Sequence, residues 1–363
     1  MPNRAALVVS PGQIEITEIE IGPPREREVI LRMEAAGVCA TDYKVAAGRH
    51  GPRMSRFPML LGHEGAGVVE EVGPGVTHLK VGDRVATGCR VQCGACSMCR
   101  RNDPRRCRDS SPRAPQVTLA SDGSAVEVPM GLGMYAERIA VDAMATFPVS
   151  DGMPMTSASL LGCAVMTGAG AVFNIAKVWP GATTAVIGCG GIGLSAVQGA
   201  RIANASKVIA VDLSDQKLEW ARTLGATDVV NAASEDPVEA VRRITGGAGV
   251  DFSFEAVGAK VCVEQCIEML AHGGTATLIG GNPPGVMASF DPAAFSRSAL
   301  TLQNTHGGGG IPAHDFPVLD SLYQQGSLDL DYMVTHTVPL TQAAQGFRNL
   351  EAGSAIRTVV VPD

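Results

Sequence analysis

The chain has 363 residues, of which 45% are hydrophobic and 18% are charged, and its formal net charge is −7 at pH 7. The composition is typical of a globular protein, and the length exceeds what one ordinary hydrophobic core accommodates, so we expect two domains. The acidic balance argues against nucleic acid as the main partner, because a phosphate backbone attracts basic surfaces.

The first part of the chain alternates short strand-like runs with turns. Hydrophobic and β-branched residues dominate the runs Ala5–Val9, Ile14–Glu18, Val29–Met33 and Gly67–Val72. Val81–Val85 predicts a turn that leads into a further strand. This pattern predicts an all-β or α+β unit.

Four cysteines with metal-ligand spacing follow. Cys93, Cys96, Cys99 and Cys107 form the pattern C-x2-C-x2-C-x7-C. Thiolates with this spacing converge on one tetrahedral ion, usually zinc, and here the protein supplies all four ligands. Such a site leaves no position for water or substrate, so we predict a structural zinc lobe at about residues 89–113. Chance clustering and a disulfide pair are the alternatives.

Arginines around this cluster suggest a rival interpretation, a zinc ribbon that binds nucleic acid. They are Arg90, Arg100, Arg101, Arg105, Arg106, Arg108 and Arg113. The acidic net charge favours a solvated structural lobe instead.

One long segment, Gly152–Ala176, carries no charge and therefore raises the question of a membrane span. It is rich in Gly, Ser, Thr and Ala, and Asn174 interrupts it. We interpret it as a buried helix.

From Thr183 onward the pattern changes to alternating strands and helices. The strand-like runs are Thr184–Ile187, Val208–Val211, Val250–Phe254, Thr275–Ile279 and Leu300–Gln303. The helix-like runs between them are Ile192–Ile202, Asp215–Leu224, Pro237–Ile244 and Val261–Leu270. This alternation predicts a doubly wound parallel sheet of the α/β class.

A glycine-rich turn opens the first helix of this region. Gly188, Gly190 and Gly193 form G-x-G-x-x-G, with Gly191 and Ile192 between the last two glycines, directly after a strand-like run. Glycines in this context let the backbone approach a pyrophosphate at a helix N-terminus. We therefore predict a dinucleotide-binding site.

An acidic residue lies where such a site would hold the adenosine ribose. Asp212 comes 19 residues after Gly193 and ends a strand-like run. Its carboxylate would accept hydrogen bonds from the ribose hydroxyls and repel a 2′-phosphate, which favours NAD over NADP. Lys217, one helical turn further on, lies either near this ribose or on a solvated helix face, and spacing alone does not decide between them.

A second group of potential ligands is scattered along the chain. His63 and Glu64 lie between an apolar run and a strand, and Cys39 and Cys163 each stand alone in a glycine-containing turn. Two thiolates and one imidazole would form a catalytic zinc site with an open fourth position. Spacing alone does not establish that these residues meet.

Several motifs occur together in a familiar order: GHEGAGVVEEVGPGV at 62–76, then VGDRV, the four-cysteine lobe, GCGGIG and the terminal GSAIRTVVV. In this order and spacing the whole chain resembles the zinc-dependent medium-chain alcohol dehydrogenase family. The resemblance implies a GroES-like, β-rich catalytic domain at 1–164 and 307–363, and a Rossmann NAD-binding domain at 165–306.

The resemblance also implies roles for individual residues. Cys39, His63 and Cys163 would ligate a catalytic zinc, with Glu64 behind the metal and Asp42 accepting the free ring N–H of His63. Thr41 would accept the substrate proton, and Arg357 would reach the cofactor pyrophosphate. The implied reaction is reversible hydride transfer between an alcohol, giving an aldehyde or ketone, and NAD, with two zinc ions per chain.

This sequence departs from the family pattern at two positions. Ala40 stands where many members carry His or Arg, and Lys44 stands where some members end the proton relay with His. Lys44, water or His50 would then complete the relay. Cys89 occupies a position that often faces the substrate, and a buried small residue is the alternative interpretation.

Other questions stay open at this point. A polyol, or a formaldehyde adduct of a small thiol, is an alternative substrate. The family forms homodimers or homotetramers, and the sequence does not choose between them. Irregular cysteine spacing and an opening without a long apolar run lead us to expect a cytoplasmic protein.

Overall fold

The computed structural model describes residues 3–49, 54 and 56–363, and its chain divides into two compact units. Unit 1 comprises Met1–Cys163 and Ile311–Asp363, and unit 2 comprises Ala164–Gly310. Unit 1 is therefore discontinuous in sequence, whereas unit 2 is one continuous segment. The boundaries expected from the sequence lay at 164/165 and 306/307.

The first segment of unit 1 is rich in strands, as its alternating pattern predicts. Its strands are β1 (Arg4–Ser10), β2 (Gln13–Ile21), β3 (Glu28–Gly37), β4 (Met59–Leu60), β5 (Gly65–Val72), β6 (Arg84–Thr87), β7 (Val117–Leu119), β8 (Arg138–Asp142) and β9 (Thr146–Pro148). Its helices are α1 (Ala40–Ala46), α2 (Ser97–Arg100) and α3 (Met155–Ala158).

Unit 2 alternates strands and helices. Its elements are α4 (Met166–Gly170), β10 (Thr183–Ile187), α5 (Gly191–Ile202), β11 (Lys207–Asp212), α6 (Asp215–Thr223), β12 (Asp228–Asn231), α7 (Pro237–Ile244), β13 (Val250–Glu255), α8 (Lys260–Glu268), β14 (Leu270–Leu278), α9 (Pro292–Arg297) and β15 (Thr301–Asn304). The last segment of unit 1 contains α10 (Pro312–Gln324), β16 (Val334–Pro339), α11 (Ala343–Glu351) and β17 (Arg357–Val361).

The strands of unit 1 form two sheets within the described residues. One sheet has the order β4-β1-β2-β7, and the other has the order β16-β17-β3-β5-β6-β9, with β8 also paired to β3. The C-terminal strand β17 therefore lies between β16 and β3, parallel to the first and antiparallel to the second. The two segments of unit 1 are joined through this inner strand.

The sheet of unit 2 has the order β12-β11-β10-β13-β14-β15, and each neighbouring pair is parallel. This confirms the predicted doubly wound parallel sheet. The carboxyl ends of β10 and β11 meet at one edge, because Ile187 pairs in register with Val211. Ligands of such sheets bind outside the carboxyl ends of the strands.

Local sequence features explain where two helices of unit 2 begin or end. α7 begins where the Asp236 side chain accepts hydrogen bonds from the N–H groups of Val238 and Glu239, with Pro237 in its first turn. At the C-terminus of α8 the helix is shorter than predicted, because Leu270 already belongs to β14 and pairs with Val250. β12 and α9 were not predicted.

One helical stretch, Met155–Ala176, is long and apolar enough to span a membrane by length and composition, with a mean hydropathy of 1.6. Within this stretch, 83% of an apolar segment of 18 residues is buried inside the protein. This agrees with the interpretation as a buried helix.

Candidate functional site

The scattered ligand candidates of unit 1 converge on one buried point. Cys39 precedes α1 directly, His63 and Glu64 precede β5, and Cys163 follows α3. The ligand atoms of these four residues lie within 4.8 Å of one another, and all four residues are buried. The fold thus supplies the convergence that spacing could not establish, and we call this group the catalytic cluster.

Asp42 holds the cluster's histidine in place. Its Oδ1 lies 3.1 Å from His63 Nδ1 and accepts a hydrogen bond from the Gly62 N–H at 3.1 Å. Its Oδ2 accepts from the Tyr135 hydroxyl at 3.1 Å. With Nδ1 directed at the carboxylate, Nε2 is the ring nitrogen of His63 that a metal would bind. Tyr135 was missed by sequence analysis, because its contact depends on packing alone.

The thiols of the cluster are linked to one another. A hydrogen bond from Cys163, together with the adjacent His63, holds the pKa of Cys39 well below its usual range. The same bond to Cys39 raises the pKa of Cys163 well above its usual range. Two thiolates and an imidazole are the donor set that suits zinc, so the residues present fit the metal.

Behind these ligands lies a buried ion pair. Glu64 Oε1 lies 3.3 Å from Arg357 Nη2, and Arg357 Nη1 donates to the Val38 carbonyl at 3.2 Å. Burial raises the pKa of Glu64 to about 8, although Arg357 acts in the opposite direction. Within the described part of the chain, neither Glu64 oxygen has a hydrogen-bond partner. A cation in the cluster would compensate this buried carboxylate.

Close backbone approach explains why Glu64 fits there. A Cβ on Gly37 would lie 2.4 Å from Glu64 Oε2, so only glycine leaves room for the carboxylate.

Arg357, expected near the cofactor pyrophosphate, lies in unit 1 at the start of β17, against Glu64. Its contact with a cofactor therefore stays a prediction.

Of the residues predicted for the proton relay, Thr41 and Lys44 lie within the described part of the chain. Thr41 lies in the first turn of α1, two residues after Cys39, and is half-buried. Lys44 is exposed on the last turn of the same helix. His50 lies outside the described residues.

Another thiol lies beside the cluster. Cys89 follows β6, and its N–H and its Sγ both donate to the Gly162 carbonyl at 3.4 Å. Its thiol also shares a hydrogen bond with Cys163, which lowers the pKa of Cys89 to about 7. The resemblance directs Cys89 towards the substrate, which stays a prediction; its contact with Cys163 depends on packing between β6 and the segment after α3.

That contact requires a glycine. A Cβ on Gly162 would lie 1.8 Å from the Thr87 carbonyl oxygen, and backbone cannot yield to it cheaply. Gly162→Ala is therefore expected to lower the free energy of unfolding by about 3 kcal/mol or more, measured by urea denaturation. Gly22→Ala is the matched control, because no heavy atom lies within 4 Å of that Cβ position. Equal stability of the two variants would contradict the close packing.

The four-cysteine lobe forms a second cluster. The sulfur atoms of Cys93, Cys96, Cys99 and Cys107 lie within 4.8 Å of one another. Backbone N–H groups point at the sulfurs: Cys96 N donates to Cys93 Sγ at 3.3 Å and Cys99 N to Cys96 Sγ at 3.5 Å. The N–H groups of Arg108 and Cys99 lower the pKa of Cys96 to about 6. This arrangement fits a structural zinc ion with four thiolate ligands.

Two arginines of the lobe have structural contacts. Arg90 is buried and donates to the Arg105 carbonyl at 3.3 Å. Arg105 in turn pairs with Asp315 of α10 at 3.4 Å. Through the Arg105–Asp315 ion pair the lobe is attached to α10 of the same unit.

In unit 2 the glycine-rich turn has the shape that a pyrophosphate requires. Gly188 adopts φ +96°, and a Cβ on Gly193 would lie 1.7 Å from the Gly188 carbonyl oxygen. Gly190 directly precedes α5, and no heavy atom lies within 4 Å of its Cβ position, so the space beside this glycine is open. Gly191 and Ile192 begin α5, so their N–H groups lack helical partners. The turn therefore fits a nicotinamide dinucleotide.

Asp212 lies at the same edge of the sheet. It ends β11, where its Oδ2 accepts from the Cys189 N–H at 2.8 Å and its Oδ1 accepts from the Ser214 N–H at 3.1 Å. The carboxylate thus connects the glycine-rich turn to the start of α6. Lys217 is half-buried in α6 and lies close enough to Cys189 to act on the pKa of that thiol.

Comparisons with known proteins give consistent results over the full chain. Residues 25–151 match the model of the alcohol dehydrogenase GroES-like domain, and residues 191–325 match that of zinc-binding dehydrogenases. Alcohol dehydrogenase 6 of Rattus norvegicus is 34% identical over 376 residues, covering 99% of this chain and 97% of the relative.

Solved structures are also similar to this chain over its full length. Benzyl alcohol dehydrogenase of Acinetobacter calcoaceticus superposes with a TM-score of 0.92 and 31% identity, covering 100% of both chains. A protein of Sinorhizobium meliloti, described as a zinc-binding dehydrogenase and solved with NADP, gives a TM-score of 0.84 and 25% identity, again over 100% of both chains.

Proposed function

Because the chain belongs to the zinc-dependent medium-chain dehydrogenase family, we propose that it is an NAD-dependent zinc alcohol dehydrogenase. The reaction is reversible hydride transfer between an alcohol, giving an aldehyde or ketone, and NAD. The observation that carries the proposal is the buried convergence of Cys39, His63 and Cys163. The glycine-rich turn beside Asp212 supports the choice of cofactor.

In this proposal Cys39, Cys163 and Nε2 of His63 hold one zinc ion. Zinc supplies Lewis acidity towards the substrate oxygen, and NAD supplies the hydride acceptor. Asp42 keeps the proton of His63 on Nδ1, 3.1 Å away, so the imidazole stays correctly oriented and a good donor. The ligand set is buried, which excludes bulk water from it.

Thr41 is the proposed proton acceptor. Its hydroxyl would take the proton of the substrate hydroxyl; Thr41 is half-buried in α1, the helix that also carries the exposed Lys44. Lys44, His50 or water would pass the proton to solvent. Glu64 would compensate the metal's charge from behind, held by Arg357.

The cofactor is proposed to lie on the glycine-rich turn. N–H groups at the start of α5 would bind the pyrophosphate, Asp212 the adenosine ribose, and Lys217 and Arg357 would lie near the bound cofactor. The Asp212 carboxylate supports NAD. NADP is the alternative, which the Sinorhizobium meliloti structure holds.

A second zinc is proposed for Cys93, Cys96, Cys99 and Cys107, where it would stabilise the lobe without touching the substrate. We further propose a homodimer or homotetramer, to be distinguished by light scattering. The cytoplasm is the proposed compartment, supported by the ten cysteines, none of which forms a disulfide in the part of the chain that the structure describes.

The decisive experiment is a screen for NADH absorbance with zinc-loaded protein. Benzyl alcohol comes first, because a protein of 31% identity is a benzyl alcohol dehydrogenase. Other primary, secondary and polyol alcohols follow, each with and without a small thiol, and NADP replaces NAD in parallel. We expect at least one alcohol to reduce NAD. Failure of every substrate with both cofactors would contradict the proposal, and salt-dependent retention on DNA would favour the zinc-ribbon alternative.

A further inference from the structure

One tyrosine hydroxyl contacts both chain segments that flank Cys39. Tyr135 donates to the Gly37 carbonyl, two residues before this cysteine, and to Asp42 Oδ2, three residues after it, at 3.1 Å in both cases. The hydroxyl has one proton for these two acceptors, and a carboxylate is the stronger acceptor because it is charged. The hydrogen bond to Asp42 is therefore the stronger of the two.

The Asp42 carboxylate depends on this hydrogen bond. Asp42 is completely buried, and its Oδ1 already faces His63 Nδ1 and the Gly62 N–H, each at 3.1 Å. Among the residues that the structure describes, only Tyr135 donates a hydrogen bond to Oδ2. A buried carboxylate oxygen that loses its donor receives no water in exchange, so removal of the hydroxyl is costly.

Buried packing sets the position of the tyrosine ring. The Tyr135 N–H donates to the Leu61 carbonyl at 3.2 Å, and the preceding N–H donates to the Gly62 carbonyl at 3.1 Å. Leu61 and Gly62 directly precede the histidine of the catalytic cluster. The ring packs edge-on against Phe347, with centroids 5.9 Å apart, and Tyr135 is buried. The hydroxyl is therefore held in place from the same backbone that carries the histidine.

Gly62 connects the two ends of this arrangement. Its N–H donates to Asp42 Oδ1, and its carbonyl accepts the N–H of the residue before Tyr135. Together with the tyrosine hydroxyl on Oδ2, these bonds hold both oxygens of the carboxylate. Asp42 cannot rotate without breaking a hydrogen bond at each oxygen, so the direction from which it faces His63 is fixed.

We propose that Tyr135 is a positioning residue for the catalytic zinc, because its hydroxyl fixes Asp42 and Asp42 orients His63 towards the metal. The inference rests on the proposed zinc-dependent function. Hydrogen-bond partners behind a metal-bound histidine set its orientation and its strength as a donor. Without the hydroxyl the carboxylate turns towards another donor, and His63 loses its fixed partner. The zinc affinity of the catalytic cluster then falls.

The test compares zinc-loaded wild-type protein with Tyr135→Phe, which removes the hydroxyl and keeps the buried ring. In a chelator competition we expect one of the two zinc ions to be bound about 10-fold more weakly and the other to be unaffected. Iodoacetamide labelling during zinc release, mapped by mass spectrometry, should assign the loss to Cys39 and Cys163. Tyr323→Phe is the matched control, because it removes a hydroxyl 3.0 Å from the Asp331 carboxylate, outside both cysteine clusters, and should change neither ion.

A double-mutant cycle with Asp42→Asn separates positioning from a general packing effect. Because Tyr135 acts through the Asp42 carboxylate, Tyr135→Phe should weaken zinc binding by less than about 3-fold in the Asp42→Asn background. Equal effects in both backgrounds, or wild-type zinc affinity in Tyr135→Phe, would overturn the inference and leave the proposed function intact. A wild-type protein without zinc at Cys39, His63 and Cys163 would overturn both.

Discussion

Cys163→Ser is expected to lose about one of two zinc ions per chain and to lower kcat/KM for any alcohol substrate on the order of 10³-fold or more. Cys163 is the central thiol of the catalytic cluster, in contact with both Cys39 and Cys89. Without it, His63 and Cys39 alone do not hold zinc firmly, and the Lewis acid is lost. Metal analysis by mass spectrometry and steady-state kinetics measure the two effects.

A matched control separates metal loss from unfolding. Cys262→Ser removes a half-buried thiol of unit 2 that takes no part in either cysteine cluster, and should keep both zinc ions and full activity. The thermal unfolding midpoints of both variants should be recorded alongside. A Cys163→Ser protein that keeps normal activity and two zinc ions would refute the assignment of the catalytic cluster.

Asp212→Gly is expected to lower the ratio of kcat/KM with NAD to kcat/KM with NADP by about 10²-fold. The carboxylate would accept hydrogen bonds from the ribose and repel a 2′-phosphate, and a hydrogen bond to a charged group contributes about 1.5–3 kcal/mol. Once the charge is removed, the neighbouring Lys217 would attract the phosphate instead. Initial rates over a range of both cofactors provide the measurement.

Asp212 also accepts the N–H groups of Cys189 and Ser214, so a second variant is needed. Asp212→Asn keeps an acceptor oxygen but removes the charge, and should shift the preference in the same direction with less disturbance of the turn. Asp228→Asn is the control, because Asp228 is the first residue of β12 and lies away from the carboxyl ends of the strands, where Asp212 lies. A cofactor preference unchanged in both Asp212 variants would rule out the ribose role.

Much of the fold follows from local pattern, and its exceptions have local causes. The strands and helices of unit 2 are marked by apolar runs, caps and glycine turns, which act within a few residues. β12 escaped prediction because Asp228–Asn231 is short and only Val230 is buried. The inner position of β17 likewise has no local signal, since its partners β3 and β16 are chosen by the finished sheet.

In the candidate site, too, some features follow from the local sequence and others depend on the fold. Cys39, His63 and Cys163 could be proposed from residue type and from the family resemblance, but their convergence required the fold. The resemblance implies that Arg357 reaches a cofactor, which stays a prediction, and only the fold reveals its place beside Glu64 at 3.3 Å. Cys89 and Tyr135 acquire their contacts only through backbone packing, which no spacing rule reports.

The inner position of β17 has a consequence for biosynthesis. The ribosome completes the first segment of unit 1 at Cys163, yet the strand that fills the gap between β3 and β16 ends at Val361, 198 residues later. At about 5–20 residues per second, this interval lasts roughly 10–40 s. During that time the Ala36–Gly37 end of β3 lacks its strand partner, since β8 covers only Glu28–Arg32 along that side, and Glu64 lacks its arginine. Unit 2, continuous in sequence, can meanwhile complete its own sheet. The free end of β3 is therefore open to pairing with another chain until β17 emerges.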